Sequence, residues 1–229
     1  MRSSSRSEVD PFIVMDVMEA ARRAEEGGRH IIHMEVGQPG TPAPAGARAA
    51  LVAAMEADAL GYTVALGQPA LRARIARLYA DWYGLELNPE RVIVTPGSSG
   101  AFILAFTALF DAGDRVGLGE PGYPSYRQIL RALSLVPVGI ETRLENRLQA
   151  VPADLPDDMA GLIVASPANP SGTMLDRPAL AALIEATAAR GAAFVSDEIY
   201  HGIEYERKAV SALEIWDDVY VISSFSKYY

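Results

Sequence analysis

Apolar positions recur along this chain in two rhythms, and the switching between them predicts the fold. Near the start, Val14, Val17, Met18 and Ala21 fall on one helical face. Asp10 reads as the cap of that helix, Pro11 as its first position and Gly27-Gly28 as its stop. A β-branched run from Ile31 to Val36 predicts a short strand, followed by a loop rich in Gly and Pro from Gly37 to Pro44. Helices are predicted near Ala47 to Ala57 and Ala70 to Tyr83, the second with Leu71, Ile75, Leu78 and Trp82 on one side. The rhythm then becomes regular. Apolar runs predict strands at Arg91 to Thr95, Arg115 to Gly119, Pro137 to Glu141, Leu162 to Ser166, Ala193 to Asp197 and Val219 to Ser224. Helices are predicted between most of them: Ala101 to Phe110, Ser125 to Leu133, and Pro178 to Arg190, capped by Asp176 and stopped by Gly191. Strands that are apolar on both faces, joined by helical crossovers, imply an α/β fold with a mostly parallel sheet and helices on both faces.

The bulk numbers narrow the partners more than the fold. The 229 residues are 50% hydrophobic and 21% charged, enough to bury a sizeable core. A net charge of −9 argues against nucleic acid or an anionic membrane as the partner. With no cysteine, disulfides, thiolate metal sites and cysteine nucleophiles are excluded. His30, His33 and His201 share no ligand spacing, so no metal site is expected. The first seven residues hold two arginines and four serines with no apolar stretch behind them, so no signal peptide is read there. Ala101 to Phe110 is too short to span a bilayer, and a cytoplasmic protein is expected.

In a parallel sheet, ligands gather in the loops just past the carboxyl ends of the strands. Gly97-Ser98-Ser99-Gly100 opens a helix, so free amides and two hydroxyls meet the positive end of its dipole. That is a phosphate cradle, although the same serines also suit a plain N-cap. A nucleoside triphosphate is disfavoured because no G-x-x-x-x-G-K-[ST] run exists. Asp197 ends a hydrophobic strand, where a carboxylate is costly unless a cation such as a protonated pyridine nitrogen meets it. Glu198 should point to the opposite face and is given no such role. Tyr200 and Asn169 are placed to hydrogen-bond a ring oxygen, but Asn169-Pro170-Ser171-Gly172 also reads as an ordinary β-turn. Tyr123 is suited either to stacking on a planar ring or to packing.

Lys227 is one of two lysines set against eighteen arginines. Guanidinium stays protonated and cannot attack a carbonyl, so a lysine at a strand end among hydroxyls raises a Schiff-base reading beside that of a surface residue. The other, Lys208, lies in the charged run Glu204-Tyr205-Glu206-Arg207-Lys208, most simply a solvated surface. Gly117-Leu118-Gly119-Glu120-Pro121-Gly122 matches a dinucleotide fingerprint, with Glu141 nineteen residues beyond Gly122. Against it, Pro121 and Pro124 delay the helix that should begin beside the pyrophosphate.

Taken in order, Gly37-Gln38-Pro39, Gly61-Tyr62-Thr63, Thr95-Pro96-Gly97-Ser98-Ser99, Pro121-Gly122-Tyr123, Asn169-Pro170-Ser171-Gly172, Ser196-Asp197-Glu198-Ile199-Tyr200 and Ser224-Phe225-Ser226-Lys227 resemble the class I/II aminotransferases, fold-type I enzymes that use pyridoxal 5′-phosphate. The resemblance covers nearly the whole chain. It implies an N-terminal arm and the start of a small domain in residues 1–40, and the cofactor-binding large domain in 41–229 without its C-terminal part. Lys227 would carry the cofactor as a Schiff base and later move a proton at the substrate's Cα. Asp197 would keep the pyridine nitrogen protonated, Tyr200 and Asn169 would bond the phenolic oxygen, and Tyr123 would stack on the ring. Ser98, Ser99 and Ser224 would bind the phosphate. Tyr62 would reach the phosphate held by a second subunit, which implies a homodimer, and Gly37 would approach the substrate carboxylate. The implied reaction moves an amino group from an amino acid to a 2-oxo acid. A C–S lyase reaction on the same cofactor, or a regulatory cofactor-binding module, is the alternative. Tyrosine stands where aspartate aminotransferases often have tryptophan, so aspartate specificity is not implied. The family's arginine just after the lysine, an antiparallel strand and most of the small domain lie outside this sequence, which therefore reads as a shortened aminotransferase.

Overall fold

Continuous burial along two central strands organises the molecule, whose computed structural model describes residues 2–229. The elements, in order, are α1 (Ile13–Glu26), α2 (Ala45–Ala57), α3 (Pro69–Tyr83), α4 (Gly97–Leu109), β1 (Arg115–Glu120), α5 (Pro124–Ala132), β2 (Val136–Glu141), β3 (Gly161–Ala165), α6 (Arg177–Ala188), β4 (Ala193–Asp197) and β5 (Tyr220–Ile222). All five strands are parallel, in the order β2-β1-β3-β4-β5. Leu162, Val164 and Phe194 face Leu180, Leu183 and Ile184 of α6. Their neighbours Ile163 and Val195 face Phe102 and Phe106 of α4 and Leu130 of α5. A strand buried on both sides must be apolar at every position, which is why these runs were readable. Each fully buried Leu, Ile or Phe contributes roughly 2 kcal/mol against the unfolded chain. Gly161 opens β3 because a Cβ there would collide with the Phe110 ring packed over it.

The doubly covered parallel sheet expected from the sequence is present, and β1 to β5 fall on five of the predicted strands. Two others do not form. Ile31 to Val36 is not a strand, and Ile32 and Met34 are 77% and 88% exposed. Arg91 closes a short 3-10 turn, and residues 92–95 follow outside any strand, with Val94 N donating to Leu66 O at 3.0 Å as their one backbone bond to a distant segment. β-propensity becomes a strand only where a neighbouring strand offers partners, and neither segment has one among the described residues. β5 is also shorter than predicted: Glu198 N donates to Ile222 O at 2.8 Å and the chain then turns away, so Ser223 and Ser224 have no rung to join. The opening helix starts at Ile13, after Phe12, and Asp10 pairs with Arg131 of α5 instead of capping it. No described residue before Arg72 is buried. Among the described residues, no helix is long and apolar enough to cross a membrane.

Candidate active site

The chain leaves β1 towards β2 on one side and β3 towards β4 on the other, so a crevice opens where the strand order reverses. Tyr123 follows β1 and Asn169 follows β3, on either side of that crevice. Asp197, the last residue of β4, is 3% exposed and accepts hydrogen bonds from the Tyr126 hydroxyl and, at 3.2 Å, from Ile199 N. Burial pushes its carboxyl up to about 6, against the pull of those two donors. Burial first, and then the charge of Asp197, push the Tyr126 phenol well above its ordinary value, so the proton stays on tyrosine. Among the described residues no lysine, arginine or histidine pairs with Asp197. The protein thus encloses a carboxylate without enclosing its cation.

Around this group the predicted residues converge in part. Asn169 Nδ2 donates to Tyr200 Oη at 3.3 Å. Burial, followed by the charge of Asp197, raises the Tyr200 phenol, while the Asn169 bond lowers it. Tyr123 lies edge-on to Tyr126 at 5.4 Å between ring centroids and to Phe12 at 5.8 Å. Lys227 Nζ donates to Gly37 O at 3.4 Å, joining two positions 190 residues apart. Ser224 and Ser226 share a hydroxyl hydrogen bond at 2.7 Å, and Ser226 N donates to Ser224 Oγ at 3.1 Å. Phe102 and Ile222 share one core, which makes the start of α4 and the end of β5 neighbours. No side chain caps the first turn of α4, so the amides around Ser98 and Ser99 stay available to an anion. Tyr62 is not drawn in; it is fully exposed and makes no hydrogen bond among the described residues. Lys208 is exposed, with its ammonium 5.0 Å from the centroid of the Tyr83 ring.

Glu198 does point away from Asp197, as strand alternation requires. It accepts from Ser196 Oγ at 3.0 Å and from Ala212 N at 2.8 Å on the α6 side of the sheet. Tyr126 is the candidate-site residue that the sequence concealed. Its spacing of four from Leu130 reads as an ordinary apolar helix face, and nothing local shows that its hydroxyl ends against a strand seventy-one residues away. In a Tyr126→Phe variant the Asp197 carboxyl should titrate above its present value near 6, because one of its donors is gone. A carbon-13 titration of the aspartate carboxyls checks this; an unchanged midpoint would show that the hydroxyl contributes nothing.

The glycine pattern at Gly117 to Gly122 is not a dinucleotide site. Gly117 and Gly119 lie inside β1, where a Cβ on Gly117 would press on Ile140 and Leu162, and Gly122 precedes a helix started by Pro124.

Comparison with known proteins shows the family. The family model "Aminotransferase class I and II" matches residues 29–229. The chain is 42% identical over 234 residues to a valine–pyruvate aminotransferase of Mycobacterium tuberculosis, covering 100% of this chain and 60% of that protein. A solved structure from Silicibacter pomeroyi, assigned as an aminotransferase, is 69% identical with a TM-score of 0.91 and covers 100% of this chain and 59% of its own. An aminotransferase structure from Mycobacterium tuberculosis is 41% identical with a TM-score of 0.95, covering 100% of this chain and 60% of its own. The chain therefore spans about 60% of the length of these relatives.

Proposed function

Because the chain belongs to the class I and II aminotransferases, we propose that it carries the cofactor-binding part of an enzyme that moves an amino group from an amino acid to a 2-oxo acid with pyridoxal 5′-phosphate. The observation that carries this reading is Asp197, a buried carboxylate at the carboxyl end of β4 with no ion-pair partner among the described residues. A protonated ring nitrogen would satisfy it and would in turn hold the carboxyl ionised. The neighbouring donors fit the rest of the group: the Asn169–Tyr200 pair suits a phenolic oxygen, Tyr123 a ring face, and the uncapped start of α4 with Ser98, Ser99 and Ser224 a phosphate.

When bound, the cofactor supplies an aldehyde carbon for covalent attachment and a ring that accepts electrons. Lys227 Nζ is the amine placed for that attachment and for holding or moving a proton at the substrate's Cα. Asp197 holds the proton on the ring nitrogen through charge, and Tyr126 keeps Asp197 oriented through its hydroxyl. Tyr200 Oη and Asn169 Nδ2 orient the ring from one edge. Gly37 O, bonded to Lys227, brings the backbone of residue 37 up to the reacting amine, where a substrate carboxylate would meet it. Tyr62, left fully exposed, is assigned to the cofactor phosphate of a second copy, making the enzyme a homodimer.

The valine–pyruvate relative makes valine and pyruvate the first pair to test. Full-length protein incubated with cofactor, valine and pyruvate should form alanine and the branched 2-oxo acid. Pyruvate and ammonia from a sulfur amino acid would mark a lyase instead, and no turnover with any amino acid would mark a binding module. Borohydride reduction of the loaded protein followed by peptide mapping should place a pyridoxyl group on Lys227; a label on Lys208 alone would overturn the assignment.

A further inference from the structure

Behind the candidate site, on the α6 side of β4, lies a second polar cluster that the reading above does not use. His201 is buried and both ring nitrogens are engaged: Nε2 with Ser166 O at 2.9 Å, and Nδ1 with the Tyr83 hydroxyl at 2.6 Å. A carbonyl only accepts, so Nε2 carries the hydrogen, and in the neutral ring Nδ1 accepts from Tyr83. Glu198 is 2% exposed and its Oε2 has no hydrogen-bond partner; the nearest basic atom is His201 Nδ1 at 3.6 Å. Burial raises the Glu198 carboxyl, which favours its neutral form here.

Ser166 is the hub. Its N–H donates to Asp197 O at 3.3 Å, its hydroxyl accepts from Leu175 N at 3.0 Å, and its carbonyl accepts from His201. It immediately follows β3 and begins the turn to Asn169, whereas His201 immediately follows Tyr200. The Ser166–His201 bond is therefore a strut beneath the two loops whose tips meet at the Asn169–Tyr200 contact.

We propose that His201 is a positioning residue: held by Ser166 and Tyr83, it fixes the spacing between the Asn169 turn and Tyr200, and so the strength of the two donors offered to the phenolic oxygen of a bound pyridoxal phosphate. The proposal rests on the cofactor reading above. Loss of these bonds inside a dry cluster leaves the Ser166 carbonyl and Tyr83 hydroxyl unpartnered. The loops would then part. Weaker donors leave more charge on the phenolic oxygen, which holds a proton more tightly on the nearby Lys227 nitrogen.

The readout is the pH midpoint of the visible absorbance of the loaded full-length enzyme, with cofactor affinity and kcat/KM measured alongside. His201→Phe should move the midpoint upward by about one unit, the size of losing one hydrogen bond's preference for a charge state, and lower kcat/KM about tenfold. Tyr83→Phe, which keeps the ring and removes only the hydroxyl, should move the midpoint the same way by less. His201→Gln, whose amide can donate to Ser166 and accept from Tyr83, should restore most of both. The charged and titratable groups facing this cluster are Glu198, Tyr79, Tyr83, Glu204, Asp197 and, across the Tyr83 ring, Lys208. A lowered melting temperature with an unchanged midpoint in His201→Phe and Tyr83→Phe would reduce the cluster to a structural prop and overturn the proposal, as would a His201→Gln enzyme that behaves like His201→Phe. Failure of the cofactor reading looks different: the wild-type protein would show no titrating visible band.

Discussion

Lys227→Ala should lower transamination by roughly 100,000-fold or more, the scale seen when a group that forms the covalent link is removed. The geometry makes this loss specific. Lys227 Nζ has a backbone carbonyl, Gly37 O at 3.4 Å, as its neighbour and no carboxylate partner among the described residues, so the amine is not tied up in an ion pair. Lys227→Arg should be as inactive as the alanine variant, since guanidinium keeps its proton and offers no lone pair to a carbonyl carbon. Lys208→Ala should retain normal turnover, because that ammonium lies at the surface over Tyr83. Steady-state assays of the three variants, with cofactor content measured in each, decide the matter. Both position-227 variants should still hold cofactor through the phosphate and ring contacts. An arginine variant with wild-type turnover would sink the nucleophile reading.

The parts of this fold that were legible share one physical property. β3 and β4 are apolar at consecutive positions because each face meets a helix layer, and that doubled burial is visible in a one-dimensional string. The opposite facing of Asp197 and Glu198 was legible for the same reason: a strand alternates, and β4 holds its geometry to the last residue. Ile31 to Val36 and Arg91 to Thr95 were misread because β-branched content records a preference that only a neighbouring strand can realise. The candidate site divides along a similar line. Asp197 and the Ser98-Ser99 turn sit at element ends, where an unusual residue type is conspicuous, and Lys227, in a turn five residues past β5, stands out because lysine is rare in this chain. Tyr126 and His201 reach their partners across the sheet, Tyr126 to Asp197 and His201 to Tyr83 on a helix 118 residues earlier. A tyrosine in an apolar helix face and a lone histidine carry no local mark of that. The family resemblance set Gly37 at the substrate carboxylate, and its approach to Lys227 was not anticipated, because no spacing rule links residues 190 apart.

Asp197→Asn should separate function from stability in opposite directions. In the loaded full-length enzyme the change removes the charge that keeps the ring nitrogen protonated, and turnover should fall on the order of a thousandfold while phosphate contacts still retain cofactor. In the cofactor-free protein the same change removes a cost. Burial raises the Asp197 carboxyl from 3.8 to about 6, so between those values the folded chain keeps a proton that the unfolded chain has released. Stability associated with this group is therefore complete below about 3.8 and is lost as the pH rises through 6, the full penalty above that amounting to about 3 kcal/mol. Asparagine carries no such penalty. Its single carbonyl oxygen can still accept from Ile199 N, but Nδ2 replaces the oxygen that accepted from Tyr126, so that hydroxyl must turn to accept and the second amide hydrogen needs an acceptor in a dry site, which returns roughly 1–2 kcal/mol of the gain. Denaturant titrations of the cofactor-free protein should find Asp197→Asn about 1–2 kcal/mol more stable than wild type at pH 8, and that advantage should be gone by pH 4. A variant with near-normal turnover would remove Asp197 from the chemistry. A stability difference that did not change with pH would show instead that no costly buried charge is held at the end of β4.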